Sequence, residues 1–331
     1  MKSFLHSTVR LVAAVVACAA PLAHAQVLGA GFAADYSVNS LGSVPDLPNN
    51  YGGLTFLDND TILIGGAANG SSGRLYTIDV VRGTGGHITG FSGAATLFNG
   101  GGIGTYNDGG VVFGPDGVLF TSQWPVNKLG QTKPGSTVED KVIDLAALNV
   151  ASSHSAINFV PAGFGGAGLA KLVSYGGGQW YSASLTPDGS GTFDLTGLAQ
   201  VDVDAATAGT QNLQGGPEGF TYIAHGNKGF GNDSLLLSEY QAGIVSAYDV
   251  DANGDPIAAT RRVFLSGLSG AEGATIDPVT GDFMFSTFGG GSQVVVVSGF
   301  VTPNVPEPST WALMFAGLAV GGTLARRRTA R

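Results

Sequence analysis

Two glutamates occupy the same place in a recurring phrase. Glu218 lies in Pro217-Glu218-Gly219-Phe220-Thr221 and Glu272 in Ala271-Glu272-Gly273-Ala274-Thr275, each just ahead of the glycine that opens an apolar run. Near the matching place an earlier copy holds Asn107-Asp108, and another His154-Ser155. If the copies are arranged about an axis that their first strands line, these side chains converge at one end of it. A ring of oxygens with one imidazole would hold a divalent cation, or polarise a sugar or a lactone. The candidate catalytic set is therefore Glu218, Glu272, Asp108 and His154. The plainer alternative is that each carboxylate accepts N–H groups from its own turn.

A second oxygen-rich stretch is Asp249-x-Asp251-x-Asn253-Gly254-Asp255, which spaces donors at alternate positions as a Ca2+ loop does. Its twelfth position is Thr260 where a bidentate Glu belongs, and Asn253-Gly254 between two strand-like runs is also a strong hairpin turn. His87 and His225 lie in Gly-rich loops with no Cys or second His beside them and read as exposed loop residues. Gly29-x-Gly31-x-x-Ala34 imitates a dinucleotide fingerprint, but no strand precedes it and no helix follows. With no Gly-x-Ser-x-Gly elbow, phosphate loop or HExxH, nucleophilic hydrolysis is unsupported. Trp124, Tyr175, Trp180 and Tyr181 would stack on sugar rings if exposed, and would otherwise fill space between sheets.

The elements that must position these residues are strands. The chain carries 54 glycines, and short β-branched and aromatic runs are cut by Gly, Asn and Asp every 8–12 residues. The recurring phrase starts at Gly53, Gly110, Ala156, Gly219 and Gly273, at intervals of 57, 46, 63 and 54 residues, which suits a propeller blade. Each copy continues into further strands, as in Ile244 to Val250 and Arg262 to Ser266. The expected fold is all-β: one propeller of five four-stranded blades, six being the alternative count if a blade hides in 127–148 or 186–209. The last copy is one strand short and Asp35-Tyr36-Ser37-Val38 belongs to none, so this N-terminal strand is expected to close the ring.

Both ends read as processing signals. Lys2 and Arg10 precede an apolar stretch from Leu11 to Ala20, and Ala23-His24-Ala25 is a small-x-small cleavage site. At the other end Pro306-Glu307-Pro308 is followed by an apolar run from Trp311 to Ala325 and by Arg326-Arg327-Arg328. As a helix that run spans about 22 Å, a short transmembrane helix for a ~30 Å hydrocarbon core, with the arginines held on the cytoplasmic side. The domains follow: 1–25 signal peptide, 26–303 propeller, 304–331 sorting and anchor segment. Trimming both ends removes six of the 15 basic residues and one acid, leaving 9 against 23, a net of −14. Such a surface repels nucleic acid and anionic lipid. The single cysteine, Cys18, falls in the signal peptide, so the mature chain is held by burial without disulfides.

The tail resembles the PEP-CTERM sorting signal. That resemblance implies recognition by an exosortase-type membrane enzyme, transient insertion in the inner membrane, and display at the cell surface or release, often with exopolysaccharide. The Pro-Glu-Gly and Asp-Pro-x-Thr-Gly-Asp phrases also resemble those of lactonase- and NHL-type propellers, which implies the fold. With no complete catalytic set in the sequence, a surface or matrix binding module associated with exopolysaccharide stands ahead of an enzyme. The alternative is a metal-dependent lactonase or esterase-like hydrolase working at the channel mouth, with Ca2+ as the candidate ion. N-terminal sequencing of exported protein is expected to read Gln26-Val27-Leu28; retention of Met1 would remove the signal peptide from the account.

Overall fold

The computed structural model describes residues 25–204 and 206–301. Two short strands come first, β1 (Val27–Leu28) and β2 (Ser37–Gly42). Blade one is β3 (Leu54–Phe56), β4 (Thr61–Gly66), β5 (Arg74–Arg82) and β6 (Ile88–Leu97). Blade two is β7 (Asn107–Phe113), β8 (Leu119–Gln123), β9 (Lys128–Thr132) and β10 (Lys141–Asp144). Blade three is β11 (His154–Phe159), β12 (Ala170–Ser174), β13 (Trp180–Pro187) and β14 (Phe193–Val201). Blade four is β15 (Pro217–Ile223), β16 (Ser234–Glu239), β17 (Ile244–Asp249) and β18 (Arg262–Ser266), and blade five is β19 (Ala271–Ile276), β20 (Phe283–Thr287) and β21 (Val294–Ser298).

Within the sheets every strand pairs antiparallel with its neighbour, and the first strand of each blade faces a common axis. The first strands touch in chain order, β19 returns onto β3, and β7 also reaches β15 and β19 across the axis. Glycines permit this approach. A Cβ on Gly273 would sit 2.7 Å from Gly53 Cα, one on Gly219 2.7 Å from Ala274 N, and one on Gly109 2.7 Å from Gly219 N. These neighbours are backbone atoms that cannot swing aside, so the axis is plugged by main chain.

Alternation along the strands fills the spaces between blades. Leu235 and Leu237 point into the core shared with blade three, where Trp180 and Phe220 meet at 4.7 Å, while Leu236 points into the core shared with blade five. That second core also takes Phe32 and Tyr36 from the segment between β1 and β2, together with Phe230, Phe264, Phe283 and Phe300.

The expected fold is corrected in four respects. β1 adds a fifth strand to blade four, Val27 lying opposite Ser266, so not every sheet has four strands. No sixth blade exists among the described residues, because 127–148 supplies β9 and β10 and 186–209 contains the end of β13 and all of β14. Each sheet stays open; β2 takes the outer place in blade five, with Ser37 opposite Ser298. The transmembrane helix placed at the C-terminus lies outside the described residues, and among the described residues no helix is long and apolar enough to cross a membrane.

Direction follows from the pairing. β19 starts at the end where Glu272 lies, β20 returns, and β21 runs away again, which puts Ser298 and Phe300 at the opposite end. By the same count through β15 to β18, Val27 sits at the glutamate end.

Gly273→Ala is expected to cost about 1–3 kcal/mol through overpacking at the axis. Gly90→Ala, where a Cβ meets nothing within 4 Å, is expected to change stability by less than about 0.5 kcal/mol. Urea titration of both variants checks this, and equal midpoints would mean that the axial contact is soft.

Candidate metal centre at the axis

Four of the first strands begin with a β-bulge or a larger irregularity, and in blade three His154 is opposite Ser174 while Ala156 is opposite Val173. In blade four Pro217 is opposite Glu239 while Phe220 is opposite Leu237; in blade five Ala271 is opposite Thr287 while Ala274 is opposite Phe285. Blade two carries a larger irregularity, with Asn107 opposite Gln123 and Val111 opposite Thr121. Extra residues of this kind re-aim side chains at a strand end. Here they carry Glu218, Glu272 and Asp108, and carboxylate oxygens of all three lie within 4.8 Å of one another. The same place in blade three is Ser155, whose hydroxyl donates to the Pro217 carbonyl at 2.8 Å. In blade one it is Gly52.

All three acids are buried. Asp108 Oδ2, Glu218 Oε2 and both Glu272 oxygens have no partner in the structure. The support around them is neutral: the Asn69 amide, turned to donate, reaches Asp108 Oδ1 at 2.8 Å, and the Gly109 N–H faces Asp108 and Glu218. Burial, opposed by the Glu272 carboxyl beside it and by the Asn69 amide, pushes Asp108 up to about 7. Burial and then the Asp108 charge hold Glu218 far above the usual carboxylate range; burial and then the Glu218 and Asp108 charges do the same for Glu272. Two like charges about 5 Å apart repel by about 3 kcal/mol at an effective dielectric of 20. The group therefore keeps protons or takes a cation. Oxygens on opposite sides of a Ca2+ with 2.3–2.6 Å bonds are about 5 Å apart, so the cluster has the reach of an ion cradle.

His154 is not a member of this cluster. Its N–H is accepted by Asn127 Oδ1 at 2.8 Å, Nε2 lies 2.9 Å from Ser122 Oγ, and Nδ1 has no partner. The irregularity at the start of β11 accompanies the split: His154 is opposite Ser174 and Ala156 opposite Val173, and between them Ser155 turns toward Pro217 while the His154 imidazole turns toward Ser122. Burial drives its imidazole down to about 3.

The oxygens of the proposed Ca2+ loop are drawn apart. Asp249 pairs with Arg262 at 2.6 Å, Asp251 accepts the N–H groups of Asn253 and Asp255, and Asp255 is bound by Lys171 at 2.6 Å and by the Trp180 indole at 2.8 Å. The stretch is a hairpin turn with an ion pair buried behind it, and among the described residues only Asp108, Glu218 and Glu272 gather as a metal-binding group. His87 and His225 each face an aspartate, Asp282 and Asp233, at 2.6 Å. Trp180 and Tyr181 are core residues, whereas Trp124 and Tyr175 are half-buried. Sequence reasoning missed Tyr240, whose phenol is held above its usual range by burial and then by the Glu272 charge. The signal available for it was its place directly after the second strand of blade four.

The sorting residues Pro306, Glu307, Pro308, Arg326, Arg327 and Arg328 lie outside the described residues. A family profile described as the PEP-CTERM protein-sorting motif matches residues 304–328. No curated protein matches the chain. Among solved structures, the chain is similar to an auxiliary nutrient binding protein from Bacteroides ovatus, at 11% identity over 80% of this chain and 76% of that one, with a TM-score of 0.45. It is also similar to the pyranose dehydrogenase PQQ domain from Coprinopsis cinerea, at 10% identity over 83% and 97%, TM-score 0.43. A third is the PQQ-bound aldose sugar dehydrogenase from Streptomyces coelicolor, at 13% identity over 78% and 83%, TM-score 0.36. Likeness at this level transfers no chemistry. The expectation that the chain is a binding module ahead of an enzyme is nevertheless corrected, by the axis itself: three buried carboxylates, with no counter-ion among the described residues, form a potential metal centre.

Folded His154 binds a proton only near 3, while an unfolded histidine binds one near 6.5, so its contribution to stability is present above about 6.5 and is lost as pH falls. His154→Gln is expected to flatten the acid-side fall in stability, by on the order of 2 kcal/mol at pH 5. Melting temperatures from pH 7 to 5 check it; parallel curves for variant and parent would show that this imidazole is not the group responsible.

Proposed function

We propose that the chain is an exported, PEP-CTERM-sorted enzyme that hydrolyses an uncharged ester or lactone at a divalent-cation site formed by Asp108, Glu218 and Glu272. The cleavage points before Gln26 and near Pro306-Glu307-Pro308, and the propeller boundaries at 26–303, belong to the same reading. An exosortase-type system is what the matched motif implies for processing. The observation that carries the catalytic reading is the approach of three buried, unneutralised carboxylates to within 4.8 Å of one another.

A bound divalent cation would supply electrophilic polarisation of a carbonyl oxygen. The chain's own part is to hold that charge in a dry site and to manage one proton. Glu272, with both oxygens free of protein partners, is the residue placed to take the proton of an attacking water and return it to the departing alkoxide. Water oxygen bonds to the carbonyl carbon, the ester C–O bond breaks, and the proton ends on the leaving oxygen. Asp108, tied to Asn69 and the Gly109 N–H, is the more firmly oriented ligand. The preference for an uncharged substrate follows from the acidic surface and from the three acids themselves, which when ionised outweigh the charge of one divalent cation.

The full chain, recovered in its exported form, is expected to hold about one divalent ion per molecule by elemental analysis and to hydrolyse members of a lactone and aryl-ester panel. Asp108→Asn, Glu218→Gln and Glu272→Gln are each expected to lower cation affinity or kcat/KM by about 10–100-fold or more. Metal-free protein that stays so after incubation with Ca2+, Mn2+ and Zn2+, or hydrolysis indifferent to all three substitutions, would remove the proposal.

A further inference from the structure

The residue directly after the second strand is held the same way in every blade. Ala67, Trp124, Tyr175, Tyr240 and Phe288 each donate the backbone N–H to a carbonyl ahead of their own blade's first strand, on Asn49, Tyr106, Ser153, Gly216 and Gly270, at 3.1, 3.0, 2.9, 2.8 and 2.8 Å. Four of these five equivalent positions are aromatic, all are half-buried, and they surround the end of the axis where the carboxylates lie. Tyr175 meets Tyr240 at 5.8 Å and 81°, and Tyr240 meets Phe288 at 5.9 Å and 68°, so three blades present a continuous aromatic wall.

Glycines seat that wall. Tyr175 lies over Gly216 and Tyr240 over Gly270, where a Cβ would come within 2.9 and 2.7 Å of the rings, and both glycines have positive φ, 70° and 68°. Thus in Gly216-Pro217-Glu218-Gly219 and again in Gly270-Ala271-Glu272-Gly273, the first glycine seats the preceding blade's ring, the glutamate turns to the axis and the second glycine closes it. Blade one breaks the wall, with Ala67 at the equivalent position and Asn69, the partner of Asp108, two residues on.

We infer that the axial carboxylates are reached through the gap at Ala67, and that the aromatic collar selects an uncharged, sugar-like ring. The argument joins two complementary surfaces. Aromatic walls accept the C–H face of a ring. The four unpartnered carboxylate oxygens below them need hydrogen-bond donors or a cation, which a polyhydroxylated ligand with or without an ion provides and an alkyl chain does not. An anionic sugar would meet three acids that when ionised outweigh the charge of one divalent cation. The inference rests on the axial group being the reactive site and names its substrate class.

Ala67→Trp fills the gap with the residue type that blade two already carries at that place. With glucono-1,5-lactone as probe, this variant is expected to lose at least about tenfold in kcat/KM, while its Mn2+ affinity by calorimetry stays within about twofold of the parent. Tyr240→Ala, which opens the wall instead, is expected to weaken binding of the same probe by about 2–10-fold and to leave Mn2+ binding in place. δ-Dodecalactone and glucuronate are expected to bind more weakly than glucono-1,5-lactone. Preference for δ-dodecalactone, or full activity in both variants, would overturn the inference while leaving the metal centre standing. Sugar-lactone binding that responds to both variants in protein that holds no Mn2+ would instead remove the metal centre and support the collar.

Discussion

The close approach of the five first strands at the axis is the constraint on which the remaining structure depends. Gly53, Gly109, Gly219 and Gly273 let main chain touch main chain where any side chain would wedge the blades apart. That contact sets how small the ring is, and the ring's size sets how near its rim residues come to each other. Glu218 and Glu272 immediately precede two of these glycines and Asp108 a third, so the geometry that closes the axis also forces the acids together.

Burial and mutual repulsion act in the same direction on those acids, and nothing basic among the described residues offsets them. Three other buried carboxylates are neutralised: Asp255 by Lys171, Glu239 by Arg261, Asp277 by Arg82. The contrast is informative because it lies within one chain under one set of packing rules. In those three pairs a buried carboxylate meets a cation, whereas at the axis three carboxylates meet only amides and a backbone N–H. A group left in that condition is suited to an exchangeable partner.

The repeated places of Glu218 and Glu272 were legible because blade length varies in the loops while the phrase around each first strand is kept. Asp108 was legible only approximately: the larger irregularity in β7 moves its glycine from position 110 to 109, which spacing alone cannot show. His154 was misassigned because the irregularity at the start of β11 gives the acids' place to Ser155 and turns the imidazole toward Ser122, which spacing alone cannot show. The Ca2+ spacing misled because its decisive partner, Lys171, is 84 residues away from Asp255 and belongs to another blade. The fifth strand of blade four escaped notice because Val27–Leu28 is two residues long and carries no period of its own. The aromatic collar is a tertiary equivalence, visible only once the second strands are aligned by their hydrogen bonds. The sorting tail was legible outright, since its features lie in consecutive order and require no folding to be recognised.

The two ends of the described chain leave the ring on opposite faces. Val27 pairs with Ser266 at the rim near the acids, whereas Phe300 is lodged against Tyr36, Phe230 and Phe264 at the far end. The segment bearing the sorting motif therefore begins behind the wheel. A tether fastened there would turn the carboxylates and their aromatic surround toward the medium, like a dish on a stalk, and severing the stalk would free the protein with its working face already uncovered.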